Sequence, residues 1–228
     1  MKIKWGALVV DGRNKIGGHV ASKNRAGSYL RTKVTPVNPS TSFQVIVRNR
    51  LAGLAQGWRS LAAASRLAWN NAVSDYKQTD IFGDIKNPTG FNLYNRINCN
   101  LLNIMEAAKT TPAFPGSPLA LTTLTPAAAN GLATMTLTFA PAVGAANKLI
   151  VKATPALSAG KAFVKSEYRQ ITLMAEADVT PFNVAPAWTA KFGTFPAAGT
   201  KLFFQLVPIL IASGQAGIPL EGSCIVVA

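Results

Sequence analysis

The chain has 228 residues, of which 49% are hydrophobic and only 14% are charged, with one His and two Cys. That length allows one large or two small cores, and the apolar fraction excludes a disordered chain. One His, nine carboxylates and two Cys leave little material for acid–base, metal or thiol chemistry. The composition therefore predicts a protein that is not an enzyme, needs no cofactor and has no small-molecule substrate.

The formal charge of +14 is concentrated at one end of the chain. Residues 1–66 hold 12 Lys and Arg and a single acid, whereas residues 67–228 hold 11 basic and 8 acidic residues. A basic segment of this kind attracts nucleic acid or an acidic protein surface. We therefore expect the first third of the chain to bind the partner.

The apolar runs are too short to predict a membrane partner. The run after Trp5 ends at Asp11 without a small-residue cleavage site, which argues against a signal peptide. Residues 202–212 form the most apolar later run, and about twenty residues are needed to span a bilayer. We expect a soluble chain in which Cys99 and Cys224 are small buried residues rather than a disulfide.

Residues 1–37 have the pattern of an extended basic arm that contains strands. Residues 24–27 have the composition of a hairpin turn between two short alternating segments. The arm is too polar to fold alone, so it should lie on the rest of the chain or on a neighbouring molecule. Its aromatic content is limited to Trp5 and Tyr29, which favours docking on an acidic protein over nucleic-acid binding and leaves both open. The candidate contact residues of the arm are Arg13, Lys15, Lys23, Arg25, Arg31 and Lys33.

Residues 38–109 change to the 3.6-residue period of helices. Thr41 and Gln44 form the pattern of a capping box, which predicts a first helix from this point. A second helix follows over about residues 61–76, and a third begins at Thr89 or Gly90 and runs to about Ala108.

The third predicted helix carries Asn92, Asn95 and Asn98 at a spacing of three residues. Asn is a poor helix former, so these amides either hydrogen-bond an extended segment such as the arm or form a solvated face. The loop before this helix holds three acids, Asp75, Asp80 and Asp84. Their spacing favours a solvated turn over a weak cation site. His19 reads as a strand or surface residue rather than a catalytic base.

Three Pro in residues 110–118 mark a linker, and the pattern after it is that of strands. About seven short strands in residues 119–228, one of them over residues 188–192, predict an immunoglobulin-like or fibronectin-like β-sandwich with Trp188 in its core. The predicted fold class is therefore α+β, with an arm, about three helices and a sandwich.

A series of spaced segments within residues 12–105 resembles a module of uncharacterised proteins from tailed bacteriophages and prophages. The segments that carry the resemblance are Gly27-Ser28-Tyr29-Leu30-Arg31, Pro36-Val37-Asn38-Pro39-Ser40-Thr41 with Gln44 and Arg48, Trp58-Arg59-Ser60-Leu61, Arg66, Trp69-Asn70, and Thr89-Gly90-Phe91-Asn92 with Tyr94 and Asn98. The resemblance implies a virion structural protein and transfers no catalytic residue. It does not cover the C-terminal half.

These observations together predict a virion protein, made in the host bacterial cytoplasm, that binds other virion proteins and copies of itself. A capsid decoration or auxiliary protein is the first hypothesis; a neck or tail protein and a nucleic-acid-binding protein using residues 1–66 are the alternatives. The further assembly candidates, expected to pack and to hydrogen-bond, are Asn38, Gln44, Arg48, Trp58, Trp69, Asn92 and Asn95, in addition to Arg31 in the arm.

Overall fold

A computed structural model describes residues 1–6, 12–35, 37–176 and 178–228 of the chain. The fold class is α+β, as predicted, with helices and antiparallel sheets. The apolar run that ends at Asp11 and the first proline of the segment Pro36-Val37-Asn38-Pro39 lie outside the described residues.

The arm forms a small antiparallel sheet of β1 (Asn14–Ile16), β2 (His19–Asn24) and β3 (Gly27–Thr32) in that order. The turn between β2 and β3 lies at the predicted hairpin position, where the side chain of Asn24 accepts a hydrogen bond from the Ala26 amide at 2.9 Å. The N-terminal residues extend along β3, since the Leu30 amide donates to the Met1 carbonyl at 2.8 Å.

Two of the three helices of the helical segment come directly after the arm. Helix α1 (Ser42–Ser60) begins with the predicted capping box, in which Thr41 and Gln44 bind each other's backbone amides. Helix α2 (Ala63–Asn71) continues into a 3₁₀ turn over Ala72–Tyr76. The loop predicted after it contains a short hairpin of β4 (Gln78–Thr79) and β5 (Ile85–Lys86).

Helix α3 (Gly90–Asn103) ends five residues before the predicted end. The Glu106 amide donates to the Leu101 carbonyl at 2.9 Å and the Met105 amide to the Leu102 carbonyl at 3.4 Å, which is the pattern of a Schellman C-cap. Met105 takes the left-handed backbone position of this cap, with φ of 59°. The helix stops here because that conformation turns the chain out of the helical path.

The C-terminal half contains two larger antiparallel sheets. One has the order β10-β7-β6, from β6 (Thr123–Ala129), β7 (Thr134–Ala140) and β10 (Phe182–Asn183). The other has the order β12-β11-β8-β9, from β8 (Asn147–Ala153), β9 (Arg169–Met174), β11 (Lys201–Leu210) and β12 (Leu220–Ile225). A single apolar core joins the two sheets, with Met135, Leu149 and Phe204 among its fully buried members.

The prediction of a strand over residues 188–192 is wrong. These residues belong to helix α4 (Ala185–Phe192), which has Pro186 in its first turn. The φ of proline is fixed near the helical value, and proline has no N–H that would need a hydrogen-bond partner in the first turn. The three Ala of α4 also favour a helix. Trp188 is nevertheless a core residue, as predicted, and its indole donates to the Thr154 carbonyl at 3.0 Å.

The four-stranded sheet is covered on both faces. Its second face packs against α3 in a separate apolar cluster that includes Ile150 and Ile209 from the strands and Ile97 from the helix. The turn after β11 touches the same helix, and at Gly214, with φ of 65°, a Cβ atom would lie 2.8 Å from the Ile97 side chain. The helices and the C-terminal strands therefore share buried surface.

Candidate interaction surfaces

The arm docks on the β4–β5 hairpin of its own chain through ion pairs. The Lys4 ammonium lies 3.2 Å from Asp84, and the Lys2 ammonium lies 3.6 Å from Asp80. Lys4 also lies over the ring of Phe82, 5.3 Å from its centroid. Two of the predicted loop acids thus bind cations of the arm, and one of them also approaches Lys86 at 3.9 Å.

Asp80 holds the tip of this hairpin together. Its side chain accepts hydrogen bonds from the amides of Phe82 at 2.8 Å and Asp84 at 3.1 Å, and it is 4% exposed. Burial alone would raise the pKa of Asp80, but the two amides and the cations of Lys2 and Lys86 outweigh it, so the pKa is lowered. The carboxylate is therefore the form that the docked arm requires.

One face of the arm sheet is rich in cations. The register of β1–β3 places Lys15, Val20 and Arg31 side by side, and side chains two residues apart along a strand share a face, so Tyr29 and Lys33 belong to it too. Lys15, Arg31 and Lys33 are exposed and form no ion pair with the residues that the structure describes.

The remaining arm candidates lie elsewhere. Arg25 is in the hairpin turn, Arg13 precedes β1, and Lys23 lies on the opposite face from Arg31. Lys23 lines the cleft between the arm and the β4–β5 hairpin. His19 is exposed on β2.

Helix α1 carries an apolar stripe that is buried only towards its C-terminal end. Phe43, Val47 and Leu51 recur every four residues with exposed fractions of 66%, 64% and 51%, and Ile46 beside them is 53% exposed. Leu54, one turn further on, is buried. The first half of α1 therefore presents a stripe of large apolar side chains to solvent, which on a folded chain marks an interaction surface.

The two tryptophans of α1 and α2 pack against the ring of Tyr94 on α3. Trp69 is fully buried, its indole donates to the Thr110 carbonyl at 2.9 Å, and its ring meets Tyr94 edge-on at 5.4 Å. Trp58 is half-buried against Tyr94 and Phe91. Both residues position the three helices, and Trp69 cannot touch a partner directly.

The three predicted Asn on α3 have different environments. Asn98 is fully buried and binds the backbone of Lys109 twice, accepting from its amide at 2.7 Å and donating to its carbonyl at 3.2 Å. Asn92 is exposed and lines a cleft with the hairpin turn of the arm. The side-chain oxygen of Asn95 is buried without a hydrogen-bond partner among the described residues.

The remaining assembly candidates make contacts near the start of α1. Asn38 accepts a hydrogen bond from the Arg48 guanidinium, and Gln44 completes the capping box. Arg50, two residues after Arg48, binds the side chain of Asn103 on α3. These contacts fix the angle at which α1 leaves the body.

A groove that the sequence reasoning did not find lies where α1, β9 and α4 approach one another. Its volume is about 960 Å³. Phe43 of α1 forms one wall and contacts Lys191 of α4, whose ammonium lies 4.4 Å from the ring centroid. Its lining residues are Phe43, Met105, Arg169, Gln170, Ile171, Thr172, Leu173, Lys191 and Phe192. The sequence contained no signal of this groove, because Met105 lay inside the predicted third helix and its cap position is visible only in the structure.

The metal-ligating and thiol side chains of the described residues form no metal cluster and no disulfide. No group of three His, Cys, Asp or Glu among them is placed to hold a metal ion. Both cysteines are free thiols, and burial raises the pKa of Cys224 to about 11, which keeps it protonated.

Comparisons with family models, with curated proteins and with solved structures return no match to this chain. None of the helices in the described part of the chain combines the length and the hydropathy that crossing a membrane requires.

Proposed function

We propose that this chain is a bacteriophage virion structural protein, a capsid decoration or auxiliary protein in the first instance and a neck or tail protein in the alternative. The exposed apolar stripe of α1 carries the proposal, because a contiguous group of large exposed apolar side chains marks a surface that binds a partner. The resemblance of residues 12–105 to the phage module indicates which class of partner covers it.

In this role the protein acts by burying surface rather than by chemistry. Subunit interfaces of about 1,200–2,000 Å² are sufficient for stable association. The stripe supplies the apolar part of such an interface, and the exposed Arg48 and Arg59 of the same helix supply cations for carboxylates on other virion proteins or on copies of the chain. The protein would be made in the host bacterial cytoplasm and end in the virion.

We also propose an immunoglobulin-like or fibronectin-like sandwich for the C-terminal half. The sheet orders support it: β6, β7 and β10 correspond to strands A, B and E, and β8, β9, β11 and β12 to strands C, C′, F and G. Two features depart from antibody domains. The buried Trp188 lies on the connection between E and F rather than on strand C, and no disulfide joins the sheets.

The test is incorporation into particles assembled in cells that supply variant protein in place of the native one. A chain lacking residues 1–35, or one carrying Val47→Ser and Leu51→Ser, should be absent from purified particles, whereas the matched surface variant Ile218→Ser should be present. Ile218 is 87% exposed and lies outside the stripe. Normal incorporation of the stripe variant would contradict the proposal.

The basic face of the arm sheet favours a second function, binding of nucleic acid. Arg31 and Lys33 follow each other on one face at the two-residue spacing of a strand, roughly 6.7 Å, with Lys15 across the sheet and Tyr29 one step before Arg31. Cations in this arrangement contact successive phosphates, and an aromatic ring among them provides a stacking surface.

A fluorescent fifteen-residue oligo-dT measures this second function. Affinity should fall steeply with salt concentration, and the double change Arg31→Glu and Lys33→Glu should abolish binding at low salt. Lys161→Glu with Lys165→Glu is the control, since both lysines are exposed in the C-terminal half. Binding by the native chain that both double variants retain would exclude the arm as the site.

A further inference from the structure

We propose that the groove between α1, β9 and α4 binds an extended segment of another protein, one that carries apolar side chains and carboxylates and lies along β9. This site is distinct from the exposed stripe of α1 and from the basic face of the arm sheet. Only Phe43 belongs to both the stripe and the groove.

The free edge of β9 supplies the backbone part of the site. In the four-stranded sheet β9 is the terminal strand, and β8 is the only strand of the described part of the chain that pairs with it. An edge strand presents amides and carbonyls that an added strand can pair with, and this is a common way in which extended peptides are recognised.

The walls of the groove are apolar. Phe43, Ile171, Leu173 and Phe192 line it, and its volume of about 960 Å³ holds several side chains. A segment beside β9 would point alternate side chains to the same side, so every second residue of the occupant should be apolar.

The charge of the groove selects acidic occupants. Arg169 and Lys191 line it, and none of the described carboxylates does. The guanidinium of Arg169 is held in place because one of its nitrogens donates to the carbonyls of Ser166 at 2.8 Å and Tyr168 at 3.0 Å. The same charge disfavours the basic arm of a second copy as the occupant.

Met105 provides an independent indication of a ligand. Its left-handed backbone disfavours any side chain, yet a large apolar one is present, 85% exposed and lining the groove. Methionine is common at surfaces that bind varied peptides, because its side chain adapts to them. A strained position filled by an exposed methionine is explained if a ligand covers it.

The experiment uses the full chain and a fluorescein-labelled ten-residue peptide in which valine and glutamate alternate, with a matched peptide in which lysine replaces glutamate. Anisotropy should show saturable binding of the glutamate peptide only. Arg169→Gln or Lys191→Gln should weaken it about tenfold, the effect of removing one charge-assisted contact. Lys161→Gln, an exposed lysine outside the groove, is the control and should bind as the native chain does.

Met105→Gly tests the apolar wall without risk to the fold, because it relieves the strained backbone while removing the side chain. Binding should weaken while the protein stays folded by circular dichroism. Amide hydrogen exchange of β9 should slow when the glutamate peptide is bound. Equal binding of the two peptides, no binding of either, or binding with unchanged exchange in β9 would each overturn the proposal, as would saturable binding of oleate in place of the peptide.

Discussion

At the scale of single residues, Asn98 shows why a poor helix former occupies the centre of α3. Its amide group is fully buried and satisfies both backbone groups of Lys109 after the chain has turned back from the helix. A Leu or Ala in this position would leave those backbone groups without partners, at a cost of about 1–3 kcal/mol each when buried. The helix propensity lost at Asn98 is smaller than that cost.

Replacement of Asn98 by Ala should therefore lower the free energy of unfolding by about 2 kcal/mol, because two hydrogen bonds are lost and the partly buried carbonyl and amide of Lys109 remain without their partner. Urea denaturation measures the effect. Asn92→Ala is the control on the same helix and should change stability by less than about 0.5 kcal/mol, since Asn92 is exposed. Equal effects of the two changes would contradict the assigned role of Asn98.

Met105→Gly should raise the free energy of unfolding by about 1 kcal/mol, because glycine adopts the left-handed conformation without the Cβ penalty. Met105→Ala keeps that penalty and should produce no such gain. Thermal or urea unfolding compares the two. A gain for both, or for neither, would show that the backbone at this position is not strained.

At the scale of elements, the arm is attached to the β4–β5 hairpin by exposed and half-buried ion pairs rather than by an apolar core. Contacts of this type are weakened by salt. Asp80 couples the two elements, since it closes the hairpin tip and also faces Lys2.

The docking of the arm should accordingly depend on pH. The pKa of Asp80 is lowered in the folded chain, so its contribution is complete above the ordinary carboxyl pKa of about 4 and is lost as the pH falls through the lower folded value. Trp5 lines the cleft beside Asp80, so the NMR signal of its indole should shift over this acid range. In Asp80→Asn the acid-range shift should be absent; the same midpoint in that variant would assign the titration to another group.

The sequence predicted those elements that begin or end because of residues close to them in the sequence. The capping box at Thr41 and Gln44 marks a true helix start, and the third helix begins at Gly90, within the predicted start at Thr89 or Gly90. Helix α4 was not predicted because the aromatic residues at 188 and 192 also fit a short strand, whereas Pro186 favours the start of a helix. The groove was missed because Phe43, Met105 and Lys191 meet only after the two halves pack, which no periodicity reports.

At the scale of the whole molecule, the four-stranded sheet belongs to two cores at once. Residues Leu149 and Val151 face the other sheet, and Ile150 between them faces α3. The continuous apolar run of β11 has the same explanation, because both of its faces are covered.

The predicted division of the chain into an arm, residues 38–109, a linker and residues 119–228 can therefore be tested by thermal unfolding. Because α3 and the sheet share buried surface, residues 38–228 should unfold in one transition, with equal calorimetric and van't Hoff enthalpies. Ile150→Ser, placed between the halves, should lower the single transition temperature rather than split it. Two transitions in the native chain would show that the halves fold independently.

The segment after α3 connects the helices to the C-terminal strands, and its hydrogen bonds fix the distance between its own two ends. Three carbonyls along it, at Thr110, Lys109 and Ala113, accept from Trp69, Asn98 and Tyr76, and the Gly116 amide donates to Gln215 beyond β11. A free tether of nine residues would let its ends separate by anything up to roughly 30 Å. Fixed in this way, the segment is a spacer of one length, so whatever holds the helices also determines the height and the direction at which the C-terminal strands are presented.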